Sequence, residues 1–575
     1  MTARGAAVRG DPAGRGSDAG ACHPRPVTDV ADDRPPLALT IDGRAVEVPD
    51  DGSTLLAVLR ERLGLRSAKD GCSPQGQCGC CTVLVDGQPR VACVTPARRV
   101  RGRAVTTLDG LDAAERQAWG DAFCATGASQ CGFCTPGILV RLSGLAAKGT
   151  PADDTAAVEQ ALLAHLCRCT GWRTILDAWS AHVGGTGAAG PGPVRDLVAA
   201  GERATIEGRS PQRVGPDVAL GHGGFADDEA PAGALVAVPD PAGGWAVGES
   251  LAGARAAAGK VQGRRTTAEL RHPLAVPDGD WAATLRTTWV EPAYLETDAS
   301  WCVPGGDPAT PLANGGAFGG KARTDVGAAA RSLADEHGRP VRVVLAREDA
   351  VRRGPKRPPV AGGMQPDGTG VLRVAATDGV AAAVAAVAPR LAVEPVDVVG
   401  PPTSCDARAA GWAEALVLAA GAGALTPDAG GDAGVLAADR GDGRARVTLR
   451  SPDGAVATAD VAVWPEAHVT VEVACGAVLD EVVLRSYCVG AAHMGLGWVT
   501  SEGLAVDEAG EVHDLTIRSF GVLRAVDTPP IDVVVDTADT GPPVNGSDAV
   551  FVAVAAATWL AQAAPPAWPT GVRVR

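Results

Sequence analysis

Residues 69–93 read KDGCSPQGQCGCCTVLVDGQPRVAC, and their cysteines decide the fold. Cys72, Cys78, Cys81 and Cys93 are spaced C-x5-C-x2-C-x11-C. The first three lie on a glycine-containing loop. The fourth returns after an apolar run, TVLV, a turn at Asp86-Gly87 and a second short run. Such a loop folds its thiolates around a small inorganic core, and the two-strand return carries the last thiolate to the same place. A 2Fe-2S cluster takes four cysteine sulfurs of this kind. The plant-type spacing is C-x4-C-x2-C…C, so this loop has one extra residue before Cys78. Cys80 is not needed to complete a set of four.

The flanking residues supply a frame for the loop. LALTIDGRAVEV, residues 37–48, is two alternating apolar runs around Asp42-Gly43, a hairpin signal. TLLAVLRERLGL follows, with Leu55, Leu56, Leu59 and Leu63 on one helical face and Ser53 as the expected N-cap. A second cysteine set comes next: QCGFCTPG supplies Cys131 and Cys134, and HLCRCTGW supplies Cys167 and Cys169. Residues 111–182 have helical period in four segments. Pro136 suits a first helical turn, which puts Cys131 and Cys134 at the positive end of that helix, where thiolate charge is favoured. C-x2-C pairs also suit zinc, so zinc is the alternative occupant of the cysteine sets.

Both sets, in this order, resemble the iron–sulfur part of the xanthine dehydrogenase family of molybdenum hydroxylases, over residues 37–182. The resemblance implies a first 2Fe-2S cluster in a plant-ferredoxin-like domain and a second in a small helical domain. It also implies that Gln130 touches a molybdopterin cofactor lying nearer the second cluster.

Composition bounds the rest. The chain has 575 residues, room for about three or four domains. A formal net charge of −15 argues against nucleic acid and against an anionic membrane surface, both of which need a basic face. No apolar run is long enough to span a bilayer, and the N-terminus carries no secretory signal. The 15 cysteines read as reduced thiols and ligands in the cytoplasm rather than as a disulfide framework.

Beyond residue 210 the family resemblance continues in pieces: residues 210–235, 289–304, 339–360 and 489–512, and above all NGGAFGGKA at 314–322. Glycines let backbone approach a cofactor, and free amides donate to its oxygens; the resemblance puts Ala317, Phe318 and Gly319 against the metal. Arg347 and Arg357 read as ion-pair partners. The family's middle region is not recognisable, and its C-terminal general base, a glutamate, aligns with Ser547, followed by Asp548. Serine accepts a proton poorly near neutral pH.

The expected fold is α+β multidomain: a disordered tail at 1–35, a ferredoxin-like β-grasp 2Fe-2S domain at 36–110, a four-helix 2Fe-2S domain at 111–182, a linker at 183–209, and an abbreviated, incompletely packed α+β molybdopterin-binding-like region at 210–575. The implied activity is oxidative hydroxylation of a purine, a related N-heterocycle or an aldehyde. Electrons leave through the two clusters to an outside acceptor, such as a flavin on a separate subunit, and the family's habit implies a homodimer. The competing reading is an electron-transfer protein whose pterin region is eroded and inactive.

Overall fold

The computed structural model describes residues 35–185, 195–259, 268–426, 431–463 and 466–573. All but the last residue of the expected N-terminal tail lies outside them. The first sheet orders its strands Arg44–Val48, Leu37–Ile41, Ala104–Thr106, Thr82–Val85 and Gln88–Val91. Both outer pairs are hairpins closed by two residues at positive φ, Asp42-Gly43 and Asp86-Gly87, the turn whose twist suits strand pairing. Leu37–Ile41 runs parallel to Ala104–Thr106, the crossover that makes the sheet a β-grasp. The leucine helix differs in detail from expectation. Thr54, not Ser53, is the cap: its Oγ1 accepts from Ala57 N at 3.2 Å, while Ser53 N donates to Asp51. After Leu55–Ala57 the helix widens into a π-turn, Val58–Arg62, which leaves Leu63 half-buried.

Four helices follow: Ala113–Thr126, Thr135–Ala146, Thr155–Ala161 and Arg173–Val183. The expected linker is corrected here. Leu197–Gly208 is a helix capped by Asp196, and it buries Ala200, Arg203, Ala204 and Glu207, one stripe at helical spacing. The Gly/Pro-rich composition that suggested a linker belongs to residues 186–194, outside the described residues. The ion pair of Arg203 with Glu207, both fully buried, fixes the helix against the C-terminal region. There Glu207 accepts from Gly546 N and Ser547 N, at 3.2 and 2.8 Å.

Among the described residues the C-terminal region has two four-stranded sheets and one five-stranded sheet. The last is a meander, Gly434–Gly441, Arg444–Arg450, Val456–Ala462 and His468–Ala474, with Ile531–Val535 added in parallel. Its inner face alternates in burial and lies under the helix Gly546–Ala561, which is buried along its whole length. That helix packs in turn on Glu481–Thr500. The two come close enough that a methyl group at Gly495 would sit 2.7 Å from the carbonyl oxygen of Phe551. The incomplete packing expected of this region is therefore not observed, because these two apolar helices cover the sheet. Among the described residues no helix is long and apolar enough to cross a membrane.

The iron–sulfur part docks on the rest through buried charge. Arg60 pairs with Asp227 (2.7 Å) and Asp228 (2.8 Å), Arg342 pairs with Glu61 (2.7 Å), and Lys69 pairs with Asp228. Two histidines are buried near this junction. Burial first and the Arg141 charge second push His165 down to about 3, and burial followed by Arg168 pushes His493 down to about 4. In the unfolded chain both titrate near 6.5. The unfolded state therefore gains protons below pH 6.5 that the folded state refuses. The stability these rings contribute is complete above about pH 6.5 and is lost progressively towards pH 4 and below, at about 1.4 kcal/mol per unit of depression. Urea midpoints are expected to fall from pH 7 to pH 5, and less steeply in His493→Gln; equal slopes would contradict this.

Candidate functional site

Cys72, Cys78, Cys81 and Cys93 come together and are all buried. Cys72 touches Cys78 and Cys93, and Cys93 touches Cys81. Donation from the Cys78 and Cys93 thiols pulls Cys72 well below the usual thiol range; the same contacts push Cys78 and Cys93 up. Backbone amides also serve the sulfurs, Gln75 N to Cys72 Sγ at 3.1 Å and Cys93 N to Cys81 Sγ at 3.4 Å. Arg347 pins the loop from the far side by donating to the carbonyls of Gly71 (2.6 Å) and Leu295 (2.8 Å). It is thus a carbonyl clamp, not the ion-pair partner expected. Cys80 lies beside this set, its thiol pushed up by burial.

The second set assembles at the N-terminus of Thr135–Ala146, with Cys134 at the cap position. Cys131 Sγ and Cys169 Sγ are 3.8 Å apart, and Cys134 touches Cys167. Donation from Cys134, with help from Thr170 Oγ1 at 3.1 Å, draws Cys167 down to about 6. No three of the described His, Cys, Asp or Glu side chains are grouped to hold a single metal ion. The second set's sulfurs meet in two pairs, Cys131 with Cys169 and Cys134 with Cys167, the grouping a two-iron core requires because each iron takes two, whereas the first set's form a chain of contacts. In donor type, burial and amide donation, both sets fit 2Fe-2S clusters.

The glycine loop sits directly on the second set. Gly316, at φ +86°, has its α-carbon so close to Cys131 that a methyl group there would stand 2.9 Å from Cys131 Cβ. Asn314 Nδ2 reaches the Cys131 carbonyl at 3.3 Å. Gln130 Nε2 donates to the Cys169 carbonyl and to Ser486 Oγ, both at 3.0 Å, while its buried Oε1 has no hydrogen-bond partner among the described residues. Among the described residues nothing accepts from the backbone amides of residues 315–319. Ala317 is buried, and Phe318 takes φ +47° with the Arg408 guanidinium 5.1 Å from its ring centre. Gly319 packs on the Asp406 carbonyl. The unpaired amides and Gln130 Oε1 match the polar edge of a pterin in donor and acceptor type, but the cavity that Gly315, Gly316 and Ala317 line with Cys131 and Cys169 is about 10 Å3, too small to hold one. Gly316→Ala meets both the left-handed backbone and the Cys131 contact, so it is expected to lose the second cluster's iron while retaining the first; full iron content in that variant would contradict the packing.

Behind Phe318 lies a cavity of about 40 Å3, lined by Glu291, Arg357, Arg408, Trp498 and Glu502 among others. It has room for a few waters, at roughly 10–15 Å3 each, and is smaller than the roughly 150 Å3 cavity that takes benzene. Neither Ser547 nor Asp548 is free: Arg408 donates to Ser547 Oγ (2.5 Å) and to Asp548 Oδ1 (2.8 Å), and Arg209 lies 2.8 Å from Asp548 Oδ2. Arg357 is an ion-pair partner as expected, 2.7 Å from Glu414. The sequence did not single out Arg168, Glu291, Arg408 or Glu502. Arg168 had a signal, standing between two cysteines; nothing in the spacing joins the others.

Two family models match the chain, one described as a 2Fe-2S iron-sulfur cluster binding domain over residues 39–104 and one as a 2Fe-2S binding domain over residues 107–180. The chain is 37% identical over 139 residues to a probable xanthine dehydrogenase subunit of Bacillus subtilis, covering 24% of this chain and 79% of that relative. It is also 37% identical over 139 residues to the nicotinate dehydrogenase small FeS subunit of Eubacterium barkeri, covering 24% and 87%. Against the aldehyde oxidoreductase of Megalodesulfovibrio gigas it is 40% identical over 150 residues, again 24% of this chain but only 16% of the relative. The likeness in fold extends further. The solved aldehyde oxidoreductase from Desulfovibrio gigas superposes with a TM-score of 0.67 over 94% of this chain and 99% of that one, at 15% identity. That from Desulfovibrio desulfuricans gives 0.65 over 91% and 97%, also at 15%.

Proposed function

The chain belongs to the xanthine dehydrogenase family of molybdenum hydroxylases, and on that premise we propose that it hydroxylates a small N-heterocycle, purine-like, or an aldehyde, with water supplying the oxygen. A molybdopterin would supply the two-electron oxidation, and Gln130 and the amides of residues 315–319 are the groups that would hold it. Cys131, Cys134, Cys167 and Cys169 would hold the cluster nearer that cofactor and Cys72, Cys78, Cys81 and Cys93 the farther one, and the two would supply one-electron carriers in that order. The observation that carries this order is the seating of Gly316 and Asn314 on Cys131. The outermost acceptor is a separate subunit, a flavoprotein by the chemistry required, because two of the similar relatives are themselves named as subunits. We propose a homodimer and a reducing compartment, the cytoplasm, which keeps the thiols available as ligands.

Metal analysis of protein expressed with abundant cofactor, together with purine- or aldehyde-dependent dye reduction, tests the reading. Molybdenum near one per chain with turnover is the result expected. Iron without molybdenum or turnover would instead favour the electron-transfer reading, which has its own support: Arg408 occupies both Ser547 and Asp548, and the cavity beside Phe318 is of water size.

A further inference from the structure

The four ligands of the first set are not its only sulfurs. Cys80 is fully buried beside them, and its thiol touches that of Cys78. Both sulfurs press on Gly71, where a methyl group would stand 3.1 Å from Cys80 Sγ and 3.2 Å from Cys78 Sγ. The Cys80 backbone is held from two sides. Its carbonyl accepts from Lys69 N at 3.2 Å, and a methyl group at Gly137 would meet that carbonyl oxygen at 2.8 Å. Elsewhere in the set the donors are amides: Cys72 Sγ accepts from Gln75 N and Cys81 Sγ from Cys93 N. Among the described residues no backbone amide donates to Cys78 Sγ. In this structure the Cys80 thiol is directed at the Cys78 carbonyl, a long contact of 3.9 Å to an oxygen that already takes Leu166 N at 3.0 Å. A thiolate carrying an iron's charge is the better acceptor for it.

We propose that the Cys80 thiol donates a hydrogen bond to the Cys78 sulfur when that sulfur is a cluster ligand, and so raises the reduction potential of the first cluster. The inference rests on the two-cluster part of the reading above and on neither the cofactor nor the substrate. Cys80 ligates nothing and acts through Cys78. A donor at a ligand sulfur favours the reduced state, because the added electron makes that sulfur a stronger acceptor. Burial enlarges the effect, since no water competes for the sulfur. A first cluster raised in this way draws electrons from the second, towards an outside acceptor.

The test is a redox titration of the full chain, purified anaerobically with its iron and followed by electron paramagnetic resonance. Cys80→Ala removes the donor. Cys80→Ser keeps a donor of similar size. Cys131→Ala, which retains only the first cluster, identifies that cluster's signal. Both Cys80 variants are expected to hold wild-type iron. In Cys80→Ala the first cluster alone becomes harder to reduce, by about three- to tenfold in the one-electron equilibrium, roughly 30–60 mV. The second cluster's midpoint stays in place, and Cys80→Ser recovers the first. An S–H stretching band that shifts on reduction is expected in the wild-type infrared difference spectrum and is lost in Cys80→Ala. An unmoved or raised first midpoint in Cys80→Ala overturns the assignment. So does an equal fall in both midpoints, or a Cys80→Ser protein that behaves like Cys80→Ala. Iron lost from Cys80→Ala overturns it in favour of ligation by Cys80. A wild-type protein without two clusters overturns the two-cluster reading itself, and the assignment falls with it.

Discussion

Alanine at Cys131 is expected to lower the iron content from about four atoms per chain to about two, and to leave the remaining cluster reducible by dithionite but not by substrate. Cys131 Sγ is one half of the 3.8 Å pair with Cys169, and the sulfur abuts the glycine loop at Gly316. A methyl group in its place leaves one iron with a single protein thiolate in a buried site. Among the described residues Cys80 lies between the two sets, its thiol near the charges of Cys167 and Cys134 but directed at the Cys78 carbonyl, and Cys124 is turned towards Arg195, so neither is expected to replace Cys131. The first set has its own loop, its own amide donors and its own clamp at Arg347, so it survives. Cys80→Ala and Cys124→Ala serve as controls and are expected to keep all of the iron. Iron analysis and the visible spectrum of the three variants decide the matter. A Cys131→Ala protein with full iron, or a Cys80→Ala protein with half, would reverse the ligand assignment.

Arg168→Met is expected to cost about 3–5 kcal/mol of stability, the usual penalty for stranding one partner of a buried ion pair. Arg168 and Glu502 are 7% and 2% exposed at their side chains, and the guanidinium also donates to the Pro292 carbonyl at 3.0 Å. Arg168 stands between Cys167 and Cys169, so the pair ties the second cysteine set to the cavity wall. Removing the cation leaves the buried Glu502 carboxyl without its partner. Arg168→Met combined with Glu502→Gln removes both charges and is expected to recover most of the loss. Urea denaturation compares the three proteins. A single variant within about 1 kcal/mol of the wild type would mean the pair is solvated and carries no docking role.

The iron–sulfur half was largely legible because its information is local. Two Asp-Gly turns, one leucine helix and two cysteine sets each lie within a few tens of residues, and spacing alone specifies them. Reading residues 197–208 as linker failed for a related reason: Arg203 and Glu207 look like surface charges until a distant helix N-terminus, at Gly546, comes to rest on Glu207. The C-terminal region was legible only in pieces. Its core joins strands and helices that are remote in sequence, and its Ala/Val-rich helices carry little periodicity because they are buried all round. The cavity was not legible at all. Glu291, Arg357, Arg408 and Glu502 come from separate segments, and nothing local to Ser547 signals that Arg408, 139 residues away, donates to it.

The central claim is that eight named thiolates hold two 2Fe-2S clusters in two separate buried sets. Iron and acid-labile sulfide in anaerobically purified protein, read beside the electron paramagnetic resonance of the dithionite-reduced form, test it most directly. About four irons and four sulfides per chain, with two resolvable reduced-cluster signals, are predicted. Stoichiometric zinc, or iron near two with a single signal, would contradict it.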